Sequence, residues 1–314
     1  MNLAPIILFV YRRIPDRVIN SLLLNGLAAK SDMFIFSDGS RSDGDKKDVL
    51  DVRQYIKGIK GFKSVTIKES QKNQGLANSV IHGVTSVINE FKCVIVLEDD
   101  LVVSSDFLKF MNEALYFYKN EANIWSISGY GPHLNIPERD LVDIYLSYRG
   151  SSWGWATWDN RWKTVDWDVK GFQKVQHSEK NRIKFERGGN DLYMMLNLQM
   201  LGKIDSWAIR WCFSQFEQNK YTIYPMNSKV ENIGFSDAKA VHNSGREWHK
   251  FDVVLSDSKV IFPKNITLND NILIEFKKTY DIDLYTKIGY FLRQYGGYGV
   301  VKKIAKLINI FACR

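Results

Sequence analysis

The strongest constraint on this chain lies in its first hundred residues, where short β-rich runs alternate with stretches of helical spacing. The runs are PIILFVY (5–11), MFIFS (33–37), SVTIK (64–68) and CVIVL (93–97). Between them lie segments around 18–27, 45–56 and 76–88 whose apolar residues recur at helical intervals. Apolar strands separated by helices imply a largely parallel sheet covered on both faces, because parallel neighbours need crossover connections. The expected class is therefore α/β. In such sheets ligands bind beyond the carboxyl ends of the strands. Residues 11–13, 37–39 and 98–100 fall at those ends.

The fourth run poses an electrostatic problem. In VIVLEDDLVV (94–103) three consecutive acids, Glu98, Asp99 and Asp100, close a strand that reads as buried. Desolvation and mutual repulsion both oppose them, so positive charge is expected nearby. A hard divalent ion meets that need: it prefers carboxylate oxygens, takes one or two from the protein, and fills its other positions with phosphate and water. The plain alternative is a helix-entry turn whose acids favour the following N-terminus. A helix does follow, in SSDFLKFMNEALYFY, with a Ser/Ser/Asp start that predicts a cap.

Beyond residue 124 the pattern changes. IWSIS reads as a strand, SSWGWATWDNRW is aromatic and punctuated by glycine, and 192–201 and 207–216 read as helices. No low-complexity linker separates the halves, so a single mixed-sheet domain is expected over 1–250. Its halves would be 1–103 and 104–250, with 251–314 as an extension. Cys93, Cys212 and Cys313 are widely spaced and show no metal or disulfide pattern, so they read as reduced thiols. With no signal-like opening and no long apolar run, a cytoplasmic location is expected.

The net charge of +8 is unevenly placed. Eight Lys/Arg stand against two Asp from Lys277 to Arg314, so the body is close to neutral and a nucleic-acid partner is not indicated. Val300, Val301, Ile304, Leu307, Ile308 and Phe311 share a helical face opposite Lys302, Lys303 and Lys306. Such a helix either caps the core or lies on an anionic membrane surface. The lysine clustering favours the membrane.

Read together, VIVLEDDLVVSSDFLKFM, NIWSISGY, SSWGWATW, DSWAIRW and a His beyond YTIYP resemble, in order, the GT-A glycosyltransferases. The order is similar to the eukaryotic N-acetylglucosaminyltransferase that initiates complex N-glycans and to bacterial family 2 enzymes of polysaccharide assembly. The likeness covers about residues 4–245. It implies a Rossmann-like GT-A fold and a manganese or magnesium ion held by Asp100 and His242. Glu98 and Asp99 would face the donor, Asp38 in FSDGS a uracil ring, and Arg12 or Arg13 the phosphates. KNQGLANSVIHG is similar to a family loop in which Gly75 lets the backbone approach an anionic donor at a helix start. Trp153, Gly154 and Trp155 match a wall between donor and acceptor, although aromatic clusters also make ordinary core.

Inverting transfer needs a carboxylate to take the acceptor proton. Asp205 matches the family base, with Asp191 as the alternative; the family carries two acids before its Trp, where this chain has Asp205 and Ser206. Either Asp could instead be a helix N-cap. The expected activity is transfer of a sugar from a nucleotide diphosphate, UDP by the resemblance, to a hydroxyl of a glycan. The basic tail suggests a lipid-linked acceptor at the inner face of the cytoplasmic membrane, as in capsule or O-antigen assembly. Two competitors are a nucleotidyltransferase, against which the glycine-free VYRRIPD turn argues, and a non-catalytic carbohydrate-binding protein that stacks sugars on Trp153, Trp155 and Trp158.

Overall fold

Alternation along the first strands sets the layers. The computed structural model describes residues 2–234 and 259–283, and positions 286, 288 and 289. In β1 (Ile6–Val10), Ile6, Leu8 and Val10 face one hydrophobic core and Ile7 and Phe9 the other. The next elements are α1 (Asp16–Leu23), β2 (Asp32–Ser37), α2 (Lys46–Lys57), β3 (Ser64–Glu69), α3 (Leu76–Phe91) and β4 (Cys93–Glu98). β4 repeats the alternation, with Ile95 and Leu97 on the α1 and α2 side and Val94 and Val96 on the α3 side. Apolar residues on both faces of a strand demand cover on both, and helices supply it.

After β4 come β5 (Leu101–Val103), α4 (Phe107–Phe117), β6 (Ile124–Ser128), β7 (Ile144–Ser147), β8 (Trp155–Trp158) and α5 (Asp159–Trp162). α6 (Phe172–Gln176), α7 (Glu179–Phe185), α8 (Leu192–Met200), α9 (Trp207–Glu217), β9 (Tyr221–Pro225), β10 (Val230–Asn232) and α10 (Asp270–Thr279) complete the described elements. Eight strands form one sheet in the order β3-β2-β1-β4-β8-β6-β9-β7. β1 to β4 are parallel, β8 runs against its neighbours, and β6 and β9 pair in parallel with β7 opposed at the edge. This is an α/β fold with a mostly parallel mixed sheet, compatible with a Rossmann-like arrangement.

The order fixes where a site can sit. The chain steps outward from β1 to β2 and β3, then returns past β1 to β4. The carboxyl ends of β1 and β4 therefore lie side by side where the strand order reverses, the place where ligands bind in open α/β sheets. The acids lie there.

The first helix, expected over 18–27, runs from Asp16 to Leu23 because the buried Asn25 side chain takes the chain elsewhere. Asn25 Nδ2 donates to the Ser104 carbonyl at 3.0 Å, and its Oδ1 accepts from the Leu108 amide at 2.9 Å. A residue of the α1 turn thus satisfies an open amide at the start of α4, the task expected of Asp106. Asp106 makes no cap bond; it accepts instead from Ser104 Oγ at 2.6 Å and from the buried Lys229 Nζ at 2.7 Å.

The segment from 259 packs on the body. Val260, Phe262, Ile266 and Leu268 rest on the core beside α4, and Tyr118 donates its hydroxyl to the Pro263 carbonyl at 2.8 Å. Ile272 and Phe276 of α10 are buried with Tyr145 and Tyr224. The expected amphipathic helix around 300–311 lies outside the described residues, and among those described no helix is long and apolar enough to cross a membrane.

Candidate functional site

The three acids sit where β4 ends, pinned from both sides. The Ile233 amide donates to the Asp100 carbonyl at 2.8 Å, continuing the antiparallel ribbon of β5 and β10. On the β1 side the Tyr11 amide donates to Asp99 Oδ2 at 3.2 Å. Arg13 Nη1 lies 3.2 Å from Asp99 Oδ1 and 3.7 Å from Asp100 Oδ2.

Electrostatics there are strained in the direction the residues imply. Burial pushes the Glu98 carboxyl well up, and Asp100 and Asp99 add to the rise. Asp100 is also pushed up by burial, against the pull of Arg13 and a hydrogen bond from Asn232. Both groups thus favour a proton or another positive partner. The 230–234 backbone also passes close to the cluster: a Cβ at Gly234 would lie 2.5 Å from Asp100 Oδ2, so a larger residue there would push the carboxylate aside.

The two candidate arginines separate. Arg13 faces the acids, whereas Arg12 Nη1 donates to Asp45 Oδ1 at 2.6 Å, and Tyr11 donates its hydroxyl to Asp45 Oδ2 at 2.9 Å. These bonds hold the Asp45 carboxyl below its usual range, with Arg12 the main cause and Tyr11 next. Asp45 organises the loop before α2, a role its sequence context did not signal.

Asp38 and Gly75 are brought together. Asp38 Oδ1 accepts from the Gly39 and Gln74 amides, both at 2.8 Å, and Oδ2 from the Gly75 amide and Asn73 Nδ2, both at 3.0 Å. The carboxylate therefore ties the end of β2 to the loop that starts α3. Gly75 has φ of +76° in open space, so its glycine is required by backbone conformation alone.

One member of the expected wall and one further stacking platform of the carbohydrate-binding alternative lie in the core. Trp155 is 1% exposed and stacks on Trp162 and Trp207 under α9, with ring centroids 5.7 and 5.1 Å away. Trp158, on the opposite face of β8, is buried too and donates its indole N–H to the Leu115 carbonyl at 3.1 Å. Both are core, which removes Trp155 from the wall and two of the three platforms from the carbohydrate-binding alternative. Trp153 remains half-buried, edge-on to Tyr130 at 4.6 Å. Gly154 has φ of +59°, and a Cβ there would meet Val230 at 2.7 Å and Leu97 at 3.3 Å. Trp153 therefore stands beside the end of β4.

The candidate bases differ sharply. Asp191 begins α8 but makes no cap bond; instead Arg149 clamps both its oxygens, with Nη1 to Oδ1 at 2.7 Å and Nη2 to Oδ2 at 2.9 Å. Arg149 lies against the Tyr280 ring, 4.1 Å from its centroid. Asp205 is 60% exposed and bonded through Oδ1 to Arg210 at 2.9 Å. It is not the cap of α9, because Ser206 Oγ accepts from the Ile209 amide. Among the described contacts, none joins Asp205 to the acid cluster. His242 lies outside the described residues, and so does Cys313. Cys93 and Cys212 are free thiols.

Sequence reasoning missed Arg149, Tyr130 and Tyr280, which gather with Trp153 and Asp191 around one cavity. SYRGSSW carries no spacing that would mark its arginine, whose partner is 42 residues away. No protein-family model matches the chain, and no curated protein matches it in sequence.

Proposed function

We propose that this chain is a metal-dependent glycosyltransferase of GT-A type, moving a sugar from a nucleotide diphosphate, UDP by resemblance, to a glycan hydroxyl with inversion. The observation that carries the reading is the acid cluster where the carboxyl ends of β1 and β4 lie side by side, with Glu98 and Asp100 pushed up and Arg13 beside them. Carboxylates so placed suit a hard divalent ion, which would relieve their repulsion. Asp100 would hold it, with His242 as the second ligand the resemblance implies. Bound there, manganese or magnesium would neutralise charge on the departing diphosphate.

The chain's own groups would do the rest. Arg13 would screen the phosphates, Gly75 and the α3 start would approach the donor, and Glu98 and Asp99 would orient it. Asp38 supports this arrangement by holding the loop of 73–75; to read a base it would have to share an oxygen already accepting amides. Asp205 is the better proton acceptor, because Asp191 has both oxygens engaged by Arg149. The acceptor class proposed is a lipid-linked glycan of surface polysaccharide assembly, presented at the inner face of the cytoplasmic membrane.

A thermal-shift panel of nucleotide sugars with and without manganese tests the reading. UDP-sugars should stabilise the protein only with the metal, and Asp100→Ala should erase that gain while the apo melting point holds. Equal stabilisation of wild type and Asp100→Ala would refute the metal assignment.

A further inference from the structure

A cavity of about 250 Å³ lies between the Arg149–Trp153 stretch, the starts of α8 and α9, and the end of α10. We propose that it takes one uncharged sugar ring, the terminal residue of the acceptor. The name acceptor rests on the glycosyl-transfer reading; the pocket itself does not.

Size sets the first limit. The volume equals about eight waters at roughly 30 Å³ each, and it falls below the ~300–1,000 Å³ of pockets for larger ligands. It has room for a single ring.

Charge sets the second. Arg149 would draw an anion if it stood alone, but Asp191 neutralises it through two short bonds. The pair leaves this wall without net charge. With its charge engaged by Asp191, Arg149 offers a carboxylate or phosphate no unpaired cation.

Tyr130 supplies the third observation. It lines the cavity, is 3% exposed, and among the described residues its hydroxyl has no hydrogen-bond partner. Buried hydroxyls are ordinarily satisfied, so this one would gain its missing partner from a ligand oxygen once the ring turns toward the cavity. Trp153 adds an aromatic surface for the C–H face of a ring, on the side nearest β4. Tyr280 closes the far wall, so the segment after α10 completes the pocket.

Ligand-observed saturation-transfer NMR on the full chain, without nucleotide or metal, tests this. The probes are neutral methyl hexopyranosides and, for contrast, methyl hexuronides. Neutral glycosides should receive saturation in preference to hexuronides. Tyr130→Phe should weaken their binding roughly three- to tenfold, the loss of one hydrogen bond. Ala208→Trp, which fills the cavity from α9, should abolish it, with far-UV circular dichroism unchanged. If Ala208→Trp does not fold, Tyr130→Phe decides alone. No transfer to any neutral glycoside at tens of millimolar, a preference for hexuronides, or binding indifferent to Tyr130→Phe would overturn the proposal. A protein stabilised by manganese and UDP that ignores every glycoside would keep the donor reading and lose this one.

Discussion

Replacing Asp191 by Asn separates a structural carboxylate from a catalytic one. The Arg149 and Asp191 side chains are 14% and 12% exposed and meet in a two-bond clamp of 2.7 and 2.9 Å. An Asn keeps the shape but loses the charge, and its amide nitrogen turns a donor toward a guanidinium that only donates. Breaking a buried pair from one side costs about 3–5 kcal/mol. Because both groups retain some water contact, the lower end applies: about 3 kcal/mol, or over a hundredfold in the unfolding constant. With a urea dependence of about 3 kcal/mol per M for a chain of this size, the midpoint should fall by about 1 M. The companion double variant Arg149→Met with Asp191→Leu should recover most of the loss, since it leaves no orphaned charge. The assay is equilibrium urea unfolding followed by tryptophan fluorescence and far-UV circular dichroism together. A midpoint within about 0.2 M of wild type would refute the argument. If sugar transfer then vanished while stability held, the proton-accepting role would move from Asp205 to Asp191.

Two further outcomes follow from the donor side. The Glu98 carboxyl is raised above its ordinary range by burial and by its acidic neighbours, so its contribution to stability is fully present below about pH 4.3 and is lost as pH rises through the raised value. Glu98→Gln should therefore raise the melting point at pH 7 in metal-free buffer, with the gain shrinking toward pH 5; a gain independent of pH would contradict the assignment. Asp38→Ala removes the acceptor for the Gly39, Gln74 and Gly75 amides. It should cost about 1–3 kcal/mol and raise amide exchange at residues 73–75, and unchanged protection there would show that the loop holds without it.

The sheet was legible because its signal is local and repeated. Four strands expected over 5–11, 33–37, 64–68 and 93–97 appear at Ile6–Val10, Asp32–Ser37, Ser64–Glu69 and Cys93–Glu98. Their apolar runs report burial on both faces, which a crossover helix must supply. The cap of α4 was not legible. Asp106 has the right chemistry at the right place, but its side chain accepts from the buried Lys229 nitrogen, and Asn25, just past α1, filled the cap instead. Propensity ranks residues for a position; it cannot see a side chain that arrives from 83 residues away.

The same distinction explains the site. The acids and the Arg12–Arg13 pair were legible because they sit at the ends of adjacent parallel strands, so strand order alone brings them together; which arginine turns to the acids was not. Trp155 was misplaced for a reason the strand itself contains. Period-two alternation puts Trp155 and Trp158 on opposite faces of β8, so no single sugar-stacking face could have used both. Whether either face met solvent depended on α9 and α4, which carry no sequence mark of where they pack. Arg149 shows the converse: a charge in an aromatic loop with no local partner is the residue whose counter-charge must be sought elsewhere, because burial of an unpaired guanidinium is too costly to persist. Asp191, expected as a base or a cap, answers that need. The cavity wall is neutral because Arg149 and Asp191 pair, so the proposed preference for a neutral ring and the proposed choice of Asp205 over Asp191 rest on one ion pair.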